Sequence, residues 1–106
     1  MPKYLIQATY SPEATEGILK TGGTQRRKRV EELYKSVGGK VEAFYFAFGG
    51  SDALAIVDLP DNASAAAASM AAAASGAARL QTVVLLTPEE IDQAVKKKVR
   101  YTRPGE

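Results

Sequence analysis

The sequence predicts one α+β domain in which a four-stranded antiparallel sheet carries its helices on one face. Two observations indicate this class. Segments of strand composition and of helical periodicity follow one another as strand, helix, strand, strand, helix, strand, and a length of 106 residues suits a single domain. Two βαβ crossovers joined by a hairpin give this βαββαβ order, the ferredoxin-like arrangement. We expect the domain to comprise residues 1–95 and a basic tail to comprise residues 96–106.

The first third of the chain predicts a strand and an interrupted helix. Residues 2–10 are rich in β-branched, aromatic and aliphatic side chains, which is typical of a strand. Ser11 follows as a predicted N-cap, with a proline at the first helical position. A Gly22-Gly23 pair interrupts the helix. Apolar side chains at positions i, i+3, i+4 and i+7 then continue it over about residues 24–37.

The next two strands, residues 40–48 and 53–59, are predicted to form a hairpin. We expect Gly50 and Ser51 to be the two central turn residues, with a positive φ at Gly50. This turn places large side chains opposite small ones. The expected pairs are Phe48–Ala53, Phe46–Ala55 and Phe44–Val57 on one face, and Ala47–Leu54, Tyr45–Ile56 and Ala43–Asp58 on the other.

The last part of the chain predicts a helix, a strand and a short helix. Asp61 is the expected N-cap of an alanine-rich helix that ends near residue 75. Alanine has the highest helix propensity and lets a helix approach a sheet closely, with Met70 as the expected space-filler. Residues 79–87 predict the fourth strand. The TPEE segment that begins at Thr87 is a capping box and starts a helix through about Lys97.

Both faces of these strands are apolar, although the helices cover only one. The fourth strand carries the run Val83-Val84-Leu85-Leu86, which has no polar side. An apolar patch as large as a sheet rarely stays exposed on a monomer. We therefore expect a two-fold homodimer, or a larger oligomer, formed through the open sheet face. The alternative is that the tail or the last helix folds over that face.

The amino-acid composition limits the catalytic groups and metal ligands that the chain can supply. Cysteine and histidine are absent, which excludes thiolate and imidazole catalysis, disulfides, and nearly all zinc, haem and iron–sulfur ligand sets. We therefore expect no cofactor and no metal. The N-terminus has a strand pattern rather than a leader pattern, which predicts a cytoplasmic location. The alanine-rich segment is too short and too weakly apolar for a membrane span, so no membrane partner is expected.

The net charge of +2 is unevenly distributed. Five basic residues and one acidic residue give residues 96–106 a charge of +4, so residues 1–95 sum to −2. The QRRKR segment, residues 25–29, is followed by Glu31 and Glu32 and contains no aromatic side chain for base stacking. It predicts a solvated helix start, with anion binding as a secondary option. No nucleic-acid partner is expected.

The segment GGKVEAFYFAFGGSDALAIVDLPD, residues 38–61, resembles the centre of the GYD domain family, small bacterial proteins of the dimeric α/β-barrel superfamily. The matching residues are Gly38, Gly39, Phe44, Tyr45, Gly49, Asp52, Asp58, Pro60 and Asp61. The likeness extends over residues 3–95, and the family's motif tyrosine is replaced by Ser51. The resemblance implies a dimeric α/β barrel and a bacterial origin, and it lends no established activity.

Polar side chains on the strands are the candidate site. The candidate ligand-binding residues are Gln7, Tyr10, Tyr45, Asp52 and Asp58. Asp52 either caps turn amides or anchors a ligand, and Asp58, inside an apolar strand beside Ala43 and near Tyr45, needs an ion-pair partner or a functional role. These residues predict a homodimeric small-molecule-binding or accessory interaction protein. The alternative, by fold analogy, is a cofactor-independent oxygenase or isomerase with Asp58 or Tyr45 as acid/base.

Overall fold

The computed structural model describes residues 1–106 and confirms the predicted fold class. The strands pair antiparallel in the order β2-β3-β1-β4, with the helices that follow β1 and β3 on one face. The elements are β1 (Lys3–Tyr10), α1 (Pro12–Thr21), α2 (Gly23–Ser36), β2 (Lys40–Phe46), β3 (Ala53–Asp58), α3 (Asn62–Ser75), β4 (Ala78–Leu85) and α4 (Pro88–Ala94). None of the four helices combines the length and the apolar character needed to cross a membrane.

The helix starts follow the predicted capping residues. The Ser11 hydroxyl accepts the Ala14 amide at 3.0 Å, and the Asp61 carboxylate accepts the Ser64 amide at 2.8 Å. Thr87 and Glu90 form the reciprocal capping box at the start of α4. The predicted end of α4 near Lys97 is wrong, because the helix stops at Ala94. A helix this short has little intrinsic stability when no other element packs along it.

The predicted hairpin turn is also wrong. The Ala47 amide donates to the Asp52 carbonyl at 2.9 Å, so residues 48–51 form a four-residue loop instead of a two-residue turn. Gly50 does not have a positive φ. The longer loop shifts the register by two residues. The observed pairs are Phe46–Ala53, Tyr45–Leu54, Phe44–Ala55 and Ala43–Ile56, and an irregularity between Val41 and Ala43 then leaves Lys40 opposite Asp58.

The core lies between the sheet and helices α2 and α3. It is small, since 12 of the 106 residues are buried. Tyr34 of α2 packs there with Tyr4 and Val57 of the sheet, and α3 contributes Ala65 and Ala68. The prediction that alanine lets α3 approach the sheet is therefore confirmed. Met70 is wrongly predicted as its space-filler, because that side chain lies on the exposed side of α3.

No helix covers the other face of the sheet, which we call the open face. Its residues are Lys3, Leu5, Gln7 and Thr9 of β1, Leu54, Ile56 and Asp58 of β3, Ala43 and Tyr45 of β2, and Arg79, Gln81, Val83 and Leu85 of β4. Residues 86–106, the C-terminal arm, are all exposed and include α4. The arm therefore does not fold over the open face within one chain.

Candidate functional site

The five predicted site residues lie in two separate places. Gln7, Tyr45 and Asp58 are on the open face, whereas Tyr10 is at the end of β1 on the helix-covered face. Asp52 lies at the end of the hairpin loop, next to Tyr10. The structure therefore does not bring the five residues together, and each location needs its own description.

Asp58 is part of a charged corner of the open face. Lys3 Nζ donates to Asp58 Oδ1 at 2.8 Å and to Glu42 Oε2 at 3.0 Å. The hydrogen bond to Asp58, followed by the one to Glu42, raises the pKa of Lys3 above its ordinary value. The partner that Asp58 was expected to need is therefore Lys3. The sequence signal for it was the position of Lys3 at the start of the apolar first strand, which places it opposite the end of β3.

One apolar row crosses the centre of the open face, and a row of mixed polarity lies next to it. Ala43, Ile56, Leu5 and Val83 form one row across the four strands, and the next row contains Tyr45, Leu54, Gln7 and Gln81. The expectation that Asp58 lies beside Ala43 and near Tyr45 is wrong. Tyr45 pairs with Leu54, four residues along β3 from Asp58, and the Tyr45 side chain is 70% exposed. The two candidate acid/base groups therefore do not share a site.

Asp52 connects the hairpin to the first strand. Its carboxylate accepts the Tyr10 amide at 2.9 Å, and its own amide donates to the Ala8 carbonyl at 2.8 Å. The carboxylate thus holds the end of the neighbouring strand rather than the amides of its own turn. This contact fixes the backbone at Tyr10, whose side chain lines two adjoining cavities.

Arg26 lies against Tyr10 and is a site residue that the sequence does not single out. Its Nε donates to the Tyr10 hydroxyl at 3.4 Å, and its guanidinium carbon lies 5.3 Å from the centre of the Tyr10 ring. Arg26 is half-buried, and no carboxylate oxygen lies within 4.0 Å of it. The available signal was spacing, because Arg26 precedes Val30 and Tyr34 by one and two helical turns on the buried side of α2.

An apolar cavity of about 30 Å³ lies beneath Arg26, between the sheet and α2. This volume is enough for roughly two water molecules. Alanines from β1, β3 and β4 line it together with Tyr34, whose side chain is only 2% exposed. Burial, and then the neighbouring charge of Tyr10, raises the pKa of Tyr34 to about 12. Tyr4 and Tyr10 hydrogen-bond with other side chains, whereas the Tyr34 hydroxyl has no partner in the protein.

A second cavity, which we call the α1–α2 groove, adjoins the first and has a volume of about 390 Å³. Its lining residues are Tyr10, Ala14, Gly17, Ile18, Thr21, Gln25, Arg26, Arg29 and Ala77. The groove shares Tyr10 and Arg26 with the apolar cavity, and its lining contains two arginines and no acidic residue. Volumes above roughly 300 Å³ are typical of small-molecule sites. The groove therefore has room for a small ligand beside Tyr10 and Arg26.

Comparison with known proteins gives one match. A family model described as the GYD domain matches residues 4–95, which confirms the resemblance seen in the sequence over residues 3–95. No curated protein and no solved structure matches the chain.

Proposed function

This chain belongs to the GYD domain family, and we propose that it acts as a homodimer, joined through the open faces, that binds a small molecule or serves as an accessory interaction protein. The observation that carries the dimer is the uncovered apolar centre of the open face. Leu5, Leu54 and Ile56 are only half-buried there, and Val83 is 43% exposed. In a dimer these side chains leave water, which is the main favourable term in association.

The edges of the open face have the polarity of an interface rim. Lys3, Glu42 and Asp58 satisfy one another at one corner, and Gln7 and Gln81 are the polar members of the row that also contains Leu54 and Tyr45. An apolar centre with a polar surround is the usual anatomy of a protein interface. A two-fold axis through the centre of the face would bring the apolar rows of the two chains against each other and leave the charged corner at the periphery.

The binding function is favoured over the oxygenase or isomerase alternative. The Asp58 carboxylate is engaged by Lys3, and Tyr45 lies four strand positions away on the same face. An acid/base mechanism needs its groups within hydrogen-bond reach of one substrate. The α1–α2 groove, by contrast, has the volume for a small molecule and lies on the side of the sheet that the proposed dimer leaves free.

The dimer is tested with two adjacent valines of β4. Val83 is on the open face, and Val84 is on the helix side at the sheet edge, where it is 53% exposed. We expect the unaltered chain to show twice its 11.3 kDa mass in light scattering at micromolar protein. Val83→Lys should give a folded monomer, because it places a charge in the apolar centre. Val84→Lys is the matched control and should leave the dimer intact.

Two results would contradict the proposed dimer. One is a monomer mass for the unaltered chain at tens of micromolar. The other is dissociation by Val84→Lys with no effect of Val83→Lys, which would move the interface to the helix side of β4.

A further inference from the structure

We propose that the α1–α2 groove and the apolar cavity form one site for a small organic carboxylate, with the carboxylate on Arg26 and the apolar part directed toward the cavity. The inference rests on the small-molecule half of the proposed function and not on the dimer. Arg26 lies on the helix side of the sheet, away from the open face. Binding and dimerisation can therefore succeed or fail separately.

Arg26 supplies the recognition of negative charge. Its Nε is used by the Tyr10 hydroxyl, but its two terminal nitrogens make no hydrogen bond in the protein. A half-buried guanidinium without a carboxylate partner is incompletely solvated, and its planar fork matches the two oxygens of a carboxylate. The Tyr10 ring beneath the guanidinium holds it in place. The site is thus prepared for an anion that the protein itself does not provide.

The surrounding charges agree with an anionic ligand. Arg29, which is paired with Glu32 at the exposed surface, adds a second guanidinium to the groove lining, and Gln25 with Thr21 adds neutral hydrogen-bonding groups. The nearby Asp52 carboxylate is engaged by the Tyr10 amide. A cationic ligand would meet two arginines and no lining carboxylate, so the groove selects against positive charge.

The adjoining cavity gives the apolar part of the ligand a hydrophobic surface to face. Its walls are hydrophobic except for Arg26. Because the cavity itself holds about 30 Å³ and the groove about 390 Å³, most of the ligand lies in the groove. These dimensions fit a compact ring or short chain bearing one carboxylate.

Benzoate and benzamide are the matched probes, because they have the same shape and differ in charge. We expect titration of the dimer, followed by amide NMR shifts, to show saturable benzoate binding at Ala14, Ile18, Arg26 and Ala77. Benzamide should bind at least about tenfold more weakly, as expected when a charge-assisted pair is lost. Equal binding of the two probes, no saturable shift up to about 50 mM benzoate, or shifts confined to the open face would overturn the proposal.

Two pairs of variants separate binding from folding. Arg26→Gln should weaken benzoate binding at least about tenfold, whereas Lys28→Gln removes the same charge from α2 outside the groove lining and should change it less than about twofold. Gly17→Leu should fill the groove and abolish binding without unfolding, since a Cβ at this position would meet no atom within 4 Å and the longer side chain has the groove to extend into. Thr15→Leu, at an exposed position of α1 outside the groove lining, is its control and should retain binding.

Unchanged benzoate affinity in both Arg26→Gln and Gly17→Leu would show that the site is elsewhere. The monomeric Val83→Lys variant should bind benzoate as the unaltered chain does, because Val83 lies on the opposite face of the sheet. Loss of binding in that monomer would show that the site depends on the dimer, which would overturn its location within a single chain.

Discussion

Asp52 acts through one hydrogen bond, from the Tyr10 amide to its carboxylate. Asparagine keeps an acceptor oxygen in the same place, so Asp52→Asn should change the free energy of unfolding by about 0.5 kcal/mol or less. Asp52→Ala leaves the Tyr10 amide without an acceptor and should lower the free energy of unfolding by about 1–2 kcal/mol. Urea denaturation measures both variants. Equal losses in the two would show that the negative charge, and not the acceptor, is what stabilises the fold.

Asp58, on the open face, is the second aspartate whose effect on stability can be tested. Its side chain is 21% exposed, and its partner Lys3 is 42% exposed and keeps Glu42 when the Asp58 charge is removed. We therefore expect Asp58→Asn to lower the midpoint of thermal unfolding by less than about 4 °C. A drop well beyond this would show that the charged corner is buried in the assembled protein.

Tyr34 makes stability sensitive to alkaline pH. Its pKa is raised from 10.0 to about 12 in the folded chain, so the folded state favours the neutral phenol. Below pH 10, Tyr34 makes its full contribution to the free energy of unfolding. As the pH rises toward 12, that contribution, about 3 kcal/mol, is lost. Tyr34→Phe should remove that part of the pH dependence. An unchanged alkaline slope in Tyr34→Phe would assign it to other groups, with Lys3 the first candidate, since its pKa is also raised.

At the scale of the elements, the interruption between α1 and α2 depends on Gly22. This residue has φ 83° and ψ 169°, a region that is essentially restricted to glycine. A Cβ there would meet no atom within 4 Å, so the cost of substitution is in the backbone alone. Gly22→Ala should destabilise the fold by about 2 kcal/mol.

Gly17 is the matched control, because it lies inside α1 with a negative φ and open space around it. Gly17→Ala should stabilise the chain by about 0.5–1 kcal/mol through helix propensity. Chemical denaturation of the two variants should therefore give changes of opposite sign. Changes of the same sign would mean that the helix break is not set by the conformation of Gly22.

At this scale, contacts between residues close in sequence can be predicted, whereas contacts between residues distant in sequence cannot. The caps at Ser11, Asp61 and Thr87 use contacts three residues apart, and all three predictions are confirmed. The predicted hairpin register is wrong, because strand composition fits a two-residue turn and a four-residue loop equally well. The observed loop is anchored by the Asp52 amide on Ala8, a contact with a strand more than forty residues away in sequence.

At the scale of the whole molecule, the pattern of apolar residues predicts the sheet and its uncovered face, and the resemblance of residues 38–61 indicates the family. Neither predicts the grouping of polar side chains. The predicted site residues share only their polarity and their place in strands, and the sheet distributes them over two faces. Among four basic residues in one helical turn, only its spacing from Val30 and Tyr34 marks Arg26, and that spacing indicates a buried side of the helix but no partner. Only the packing of α2 shows that one of them turns toward Tyr10.

The small core also has a consequence for heat stability. With 12 buried residues, one chain by itself has little reserve against unfolding, so in the proposed dimer much of the folded state's stability would come from the second chain. Unfolding would then separate two chains, and mass action makes its midpoint depend on the amount of protein. Calorimetry over a hundredfold dilution series should show the midpoint falling with dilution in the unaltered chain and staying constant in the Val83→Lys monomer. Dilution alone would then act as a denaturant for this protein.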